Sequence, residues 1–162
     1  MSQPPSNAAF AAALNAELAA FAELRRILQI EQDCLLSTDT DALLALANLK
    51  SHTVERLAEL ATQRAAYLQS QRLPPGSEGM QRWLAAQTGP EAKRLTDTWK
   101  RLLALAAEAR AENQINGGLI GTRLGHNQAA LATLQASARH HSVYGPDGQS
   151  DFRVANRELG RA

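Results

Sequence analysis

A single cysteine, Cys34, stands among the 162 residues, so no disulfide can form within the chain. That usage is compatible with a reducing compartment. Aromatic residues make up only 4%, while hydrophobic residues reach 44%, much of it alanine, which points to close helix–helix contacts rather than a large globular core. No basic block or arginine-rich face accompanies the net charge of +1, which argues against nucleic acid as a partner. The opening MSQPPSNAAFAAAL has no basic leader before its apolar run, and Glu17 soon follows. Neither a signal peptide nor a membrane insertion is expected.

Catalytic and metal-binding patterns are equally scarce. The histidines are His52, His126, His140 and His141, none at the three- or four-residue spacing by which a helix presents metal ligands, so no metal site is expected. INGGLIGTRLG is rich in glycine but follows no strand pattern and lacks the lysine of a phosphate loop. No serine or cysteine nucleophile has a base at a readable spacing. The chain is therefore read as having no catalytic residues and no cofactor. Cys34 lies beside an apolar stripe with no basic neighbour, as a small buried hydrophobe would.

What remains is helical periodicity. The first helix is predicted over about residues 6–37, capped by Ser6 or Asn7, with Phe10, Leu14, Phe21, Leu24, Leu28 and Leu35 on one face. Glu17, Glu23, Arg25, Arg26 and Gln29 are assigned mostly to its polar side. STDTDALLAL marks a stop and restart, with Thr38 or Thr40 as cap for a second helix over about 39–71. Its stripe is Leu43, Leu46, Ala47, Leu49, Val54, Leu57, Leu60, Ala61 and Leu68. Lys50 and Arg64 interrupt the stripe and are expected to lie along the seam with their charges in water. The short link makes these two helices an antiparallel hairpin.

Leu73-Pro74-Pro75-Gly76 ends the hairpin. A short helix over about 78–87 presents Met80, Trp83 and Leu84, with Trp83 expected to cover the end of the bundle. Thr88-Gly89-Pro90 then opens a last helix that no proline interrupts before Pro146, predicted over about 90–141. At 1.5 Å per residue the first two helices span on the order of 50 Å each and the last about 75 Å. The hairpin then covers the last helix only to about Leu124, leaving Leu131 and Leu134 unmatched as an interaction surface. Gly117, Gly118, Gly121 and Gly125 fall within this helix, marking either a close approach by another helix or a region softened for partner binding. Asn113, Asn116 and Asn127 lie on or near the stripe, either as buried register-setting amides or as half-exposed groups.

The expected architecture is all-α: an elongated antiparallel helical bundle made of a long hairpin, a short connecting helix, a longer final helix and a flexible C-terminal tail. The domain reading is a bundle over 1–142 and a tail over 143–162. In the tail, Gly145-Pro146-Asp147-Gly148 suits a type I turn, and Phe152, Ala155 and Leu159 form one weak apolar face.

One set of motifs is more specific. DTDALLAL with Lys50 beyond it, RLAEL, Arg64 and Trp99 are followed by NQINGGLI, HNQAAL and finally YGPDGQ. This pattern resembles the FlgN family of flagellar export chaperones over most of the chain, most specifically in NQINGGLI and YGPDGQ. The resemblance implies a cytoplasmic, non-enzymatic chaperone without cofactor. It implies that the partners are the helical C-terminal ends of the hook-associated proteins FlgK and FlgL, and that the chaperone delivers this cargo to the flagellar export apparatus. Spacing, rather than family correspondence, nominates Ile120, Leu124, Leu131 and Leu134 as the cargo face. Tyr144 either packs back on its own helix or, as its place in the family-like YG motif suggests, docks to the export gate. A structural coiled-coil protein that self-associates through the same stripe is the alternative.

Overall fold

The computed structural model describes residues 6–37 and 40–143, with side chains described to Arg139. All regular structure among them is helical: α1 (Asn7–Leu36), α2 (Asp41–Ser70), α3 (Ser77–Ala85) and α4 (Pro90–Val143). The expected all-α helical bundle is therefore what forms. The chain divides into two compact units, Met1–Ile120 and Gly121–Ala162. The first holds α1, α2, α3 and residues 90–120 of α4.

Local chemistry sets the helix ends. Ser6 caps α1 as anticipated, its hydroxyl accepting from the Ala9 amide at 3.2 Å. Thr40 does not cap α2 through its side chain; it has a helix-like backbone (φ −106°, ψ −9°), and its carbonyl accepts from Leu43 at 3.2 Å. Thr38, the other expected cap, lies outside the described residues. At the far end of α2, Arg72 takes the left-handed conformation (φ 59°) that lets the Leu73 amide turn back to the Leu68 carbonyl at 2.9 Å. Gly76 (φ 97°) then admits the turn into α3. A side chain at Gly79 would run into the Pro74 carbonyl, so glycine is required there for close packing.

The α1–α2 hairpin is antiparallel, and α4 runs alongside α1 in the same direction. Trp99 and Leu102 pack near Phe10, and Asn116 reaches Leu28 and Glu31. Two core clusters follow. At one end Phe10, Leu14, Tyr67, Leu68, Met80, Trp83, Leu95, Trp99 and Leu102 draw on all four helices. Phe10 stacks on Tyr67 at 3.9 Å and meets Trp83 edge-on at 4.7 Å, while the Tyr67 hydroxyl donates to Asn7 at 2.6 Å. Trp83 thus closes this end of the bundle as expected. The second cluster, Ala20, Leu24, Leu28, Leu57 and Ala109, is built on small and aliphatic residues.

Four assignments need correction. Glu17, assigned to the polar side of α1, is buried, and Glu31 is buried on the same helix. Lys50 and Arg64 do not release their charges into water. Lys50 donates to Glu31 at 2.7 Å, and Arg64 donates to Glu17 at 3.0 Å with its guanidinium 5.1 Å above the Trp99 ring. The two acids stand fourteen residues apart, as do the two bases, so antiparallel pairing matches both pairs at once. Finally, Leu49 and Val54 are exposed although they continue the α2 series, because the three-helix packing covers a narrower stripe than the sequence offers. Cys34 is half-buried rather than enclosed.

Candidate interaction surface

The stripe of α4 begins as core. Leu95, Trp99, Leu102 and Ala109 are buried, and so is Asn116, the last buried position described on the helix. Asn116 is only 1% exposed; its amide nitrogen donates to the Leu28 carbonyl and to Glu31, both at 2.8 Å. Glu31 therefore joins Lys50 on one side to Asn116 on the other. Among the described residues the Asn116 side-chain oxygen has no hydrogen-bond partner. Such an orphan costs about 1–3 kcal/mol, and a buried amide held at that cost fixes register. On the flank of the same contact Arg25 reaches Glu112 at 2.7 Å and Glu108 at 2.5 Å. The Glu112 hydrogen bond raises the Arg25 pKa above its ordinary value against an opposing desolvation effect.

Beside these contacts α2 and α4 leave an open groove of about 440 Å³ over α1. Its apolar lining includes Phe21, Leu24, Leu28, Val54, Ala106 and Ala109. Sequence reasoning did not find it, because a groove depends on how far two helices stand apart and neither helix records that distance.

Of the four residues nominated from spacing, Ile120 closes the first unit at 45% exposure. Leu124, Leu131 and Leu134 belong to the second, at 56%, 58% and 65%. Every described side chain from residue 124 to 139 is exposed. Leu124, Leu131 and Leu134 share one helix face with Asn127 and Ala138 by their spacing of alternating three and four residues. The asparagines thus part company: Asn116 is buried, whereas Asn113 and Asn127 are exposed. Around Gly117, Gly118, Gly121 and Gly125 nothing lies within 4 Å of an added methyl group, so no described part of the chain makes the close approach considered for them. Tyr144 and the tail residues Phe152, Ala155 and Leu159 lie outside the described residues, and nothing is said of the His140 and His141 side chains. Among the described residues no group of His, Cys, Asp or Glu could hold a metal ion, and no helix is long and apolar enough to cross a membrane.

A chain whose described regular structure is helical, and whose stripe passes from core to exposed face within one helix, is the setting in which family comparison becomes informative. The model of the family described as "FlgN protein" matches residues 1–151. The chain belongs to the FlgN family. It is 44% identical over 57 residues to the Flagella synthesis protein FlgN of Yersinia enterocolitica, and equally to the protein of that name from its serotype O:8 / biotype 1B. Each match spans 35% of this chain and 37% of the relative. No solved structure matches the chain.

Proposed function

We propose that this FlgN-family chain is a cytoplasmic, non-enzymatic flagellar export chaperone. It holds the helical C-terminal ends of the hook-associated proteins FlgK and FlgL, prevents their premature assembly and delivers them to the export apparatus. The observation that carries this reading is the exposed face Leu124, Leu131 and Leu134, three large apolar side chains on a helix of a FlgN-family chain. In sequence Ile120 stands one helical turn before Leu124, and the four together form the proposed cargo face. An amphipathic partner helix laid on such a face buries apolar surface worth roughly 25 cal/mol per Å² before the costs of association. In this reading residues 1–142 are the chaperone domain and 143–162 a tail, with Tyr144 docking at the export gate.

Co-purification of the full chain with flagellar proteins tests the reading, compared with a version ending at Ser142. The full chain is expected to retain FlgK or FlgL, and the shorter version to retain them while failing in export. Recovery of neither protein by the full chain would sink the proposal. A stable homo-oligomer in the absence of cargo, dissolved by Leu131→Asp, would favour self-association instead.

A further inference from the structure

The core changes along the first unit. At the aromatic end all four helices contribute to it, whereas the second cluster draws only on α1, α2 and α4. The open groove of about 440 Å³ lies beside that second cluster, entirely within the first unit. Phe21, Leu24 and Leu28 of α1 form its floor, Val54 stands on the α2 wall, and Ala106 and Ala109 on the α4 wall. Val54 is 49% exposed, so the groove offers apolar surface to solvent on its wall as well as its floor. The two alanines keep the α4 wall low, which lets another backbone come close. Phe21 to Leu28 and Ala106 to Asn113 each cover two helical turns, about 10 Å. That is the reach of side chains at i, i+3 or i+4 and i+7 on one helix. Small-molecule sites enclose most of their ligand, and an open groove of this kind does not.

The lining holds two cations and no carboxylate. Lys50 on α2 is already matched, since it donates to the buried Glu31 at 2.7 Å. Arg110 on α4 is exposed and bonds to no described residue. The reason is local. The positions three and four residues away are Ala106, Ala107, Asn113 and Gln114, so its own helix offers it no carboxylate at pairing distance. Glu108 and Glu112, the nearest acids in sequence, both engage Arg25. Arg110 is thus an unmatched positive charge at the edge of an apolar groove.

From this pairing of apolar floor and unmatched cation we infer that the groove takes a short acidic amphipathic helix of a partner protein. Its apolar side chains, at i, i+3 or i+4 and i+7, lie on Phe21, Leu24, Leu28 and Val54, and a carboxylate beside them pairs with Arg110. The burial supplies affinity and the ion pair supplies selectivity, because a lysine in the carboxylate's place would meet like charge. A basic helix finds no acid in the lining, and Glu31 behind it is 5% exposed and already shared between Lys50 and Asn116. This surface goes beyond the cargo reading and does not depend on it. None of Ile120, Leu124, Leu131 and Leu134 lines the groove.

The test uses the full chain and a labelled synthetic helix of about 18 residues, long enough to be helical on an alanine background. It carries leucine at i, i+4 and i+7 and glutamate at the positions bordering them; a sister peptide carries lysine there instead. Fluorescence anisotropy is expected to show the acidic helix binding at least about five-fold more tightly, by a margin that shrinks as salt rises. Arg110→Glu is expected to reverse the order of the two peptides. Val54→Asp is expected to abolish binding of the acidic helix with little change in melting temperature, since Val54 is half exposed. Leu131→Asp, on the proposed cargo face, is expected to leave peptide binding as it is. Equal binding of the two peptides overturns the inference, as does an order that Arg110→Glu does not change. Loss of binding in Leu131→Asp overturns it too, by moving the peptide to the cargo face. So does a dimer of the chain alone that Val54→Asp dissolves, which would give the groove to a second copy. The two proposals fail separately. Peptide selectivity without recovery of FlgK or FlgL removes the cargo assignment alone, and equal peptide binding with either protein recovered removes the groove assignment alone.

Discussion

The same helix, α4, presents one kind of apolar spacing in two settings. In the first unit Leu95, Trp99 and Leu102 are buried among three other helices, and Asn116 is bonded to α1. In the second, Leu124, Leu131 and Leu134 have the same kind of spacing and are more than half exposed. Spacing alone states that a face is apolar; whether the face is core or contact surface depends on what the rest of the chain has available to cover it. Glu17 and Glu31 teach the complementary lesson, since charged residues in a seam become core when the opposite helix supplies bases at matching positions.

The sharpest way to break this comparison is to truncate one leucine in each setting. Leu102→Ala should destabilise the fold by about 2–5 kcal/mol, as buried leucines do, whereas Leu131→Ala should stay within about 0.5 kcal/mol. Chemical denaturation of both variants measures the difference, and a comparable loss for Leu131→Ala would make residues 124–138 core. Next in size is Glu31→Leu, which leaves Lys50 and Asn116 without their shared acceptor. With the Lys50 side chain 24% exposed, the loss should be about 2 kcal/mol, below the 3–5 typical of fully buried pairs. The double change with Lys50→Leu should recover much of it, because an apolar pair replaces a broken ionic one.

A smaller effect, in the opposite direction, is expected from Gly121→Ala. With open space around this helical glycine, alanine should stabilise the segment by up to about 1 kcal/mol. Amide hydrogen exchange of residues 113–139 reads the change. If stiffening also weakens cargo capture, the glycines serve as a soft region; unchanged capture removes that role.

The smallest effect concerns acid. The Arg26 hydrogen bond holds the Glu23 carboxyl below its ordinary value of 4.5, and burial only partly opposes it. A carboxylate lowered in the folded state contributes stability above its unfolded pKa and loses it as pH falls through the folded value. Glu23→Gln should therefore make the decline of stability below about pH 4.5 slightly shallower. No change in that slope would show the exposed pair to be energetically silent, as many such pairs are.

Much of this architecture was legible in advance. The proline and glycine breaks at 74–76 and 89–90 and the capping Ser6 gave four helices in the observed order. Phe10, Leu14, Leu24 and Leu28 were recognisable as core because they recur at helical spacing. The polar seam was misplaced, although a signal existed. Glu17 and Glu31 continue the four-three alternation of the apolar residues around them, and Lys50 and Arg64 do so on α2. Treating every charge as solvated hid an arrangement that phase alone would have revealed. The groove bounded by Val54 and Arg110, and the separation of Asn116 from Asn113, were not legible, since both depend on the distance and rotation between helices.

For this protein the sequence by itself determined the helices, their ends and the apolar face that α4 offers, because these follow from hydrogen bonding and side-chain period within a few turns of one chain. Only the tertiary structure decided that the Glu31 carboxylate joins Lys50 to Asn116, that this amide is the last buried position on α4, and that residues 124–139 remain exposed. Those outcomes depend on which surfaces meet, and helical period carries no information about the surface that will lie opposite.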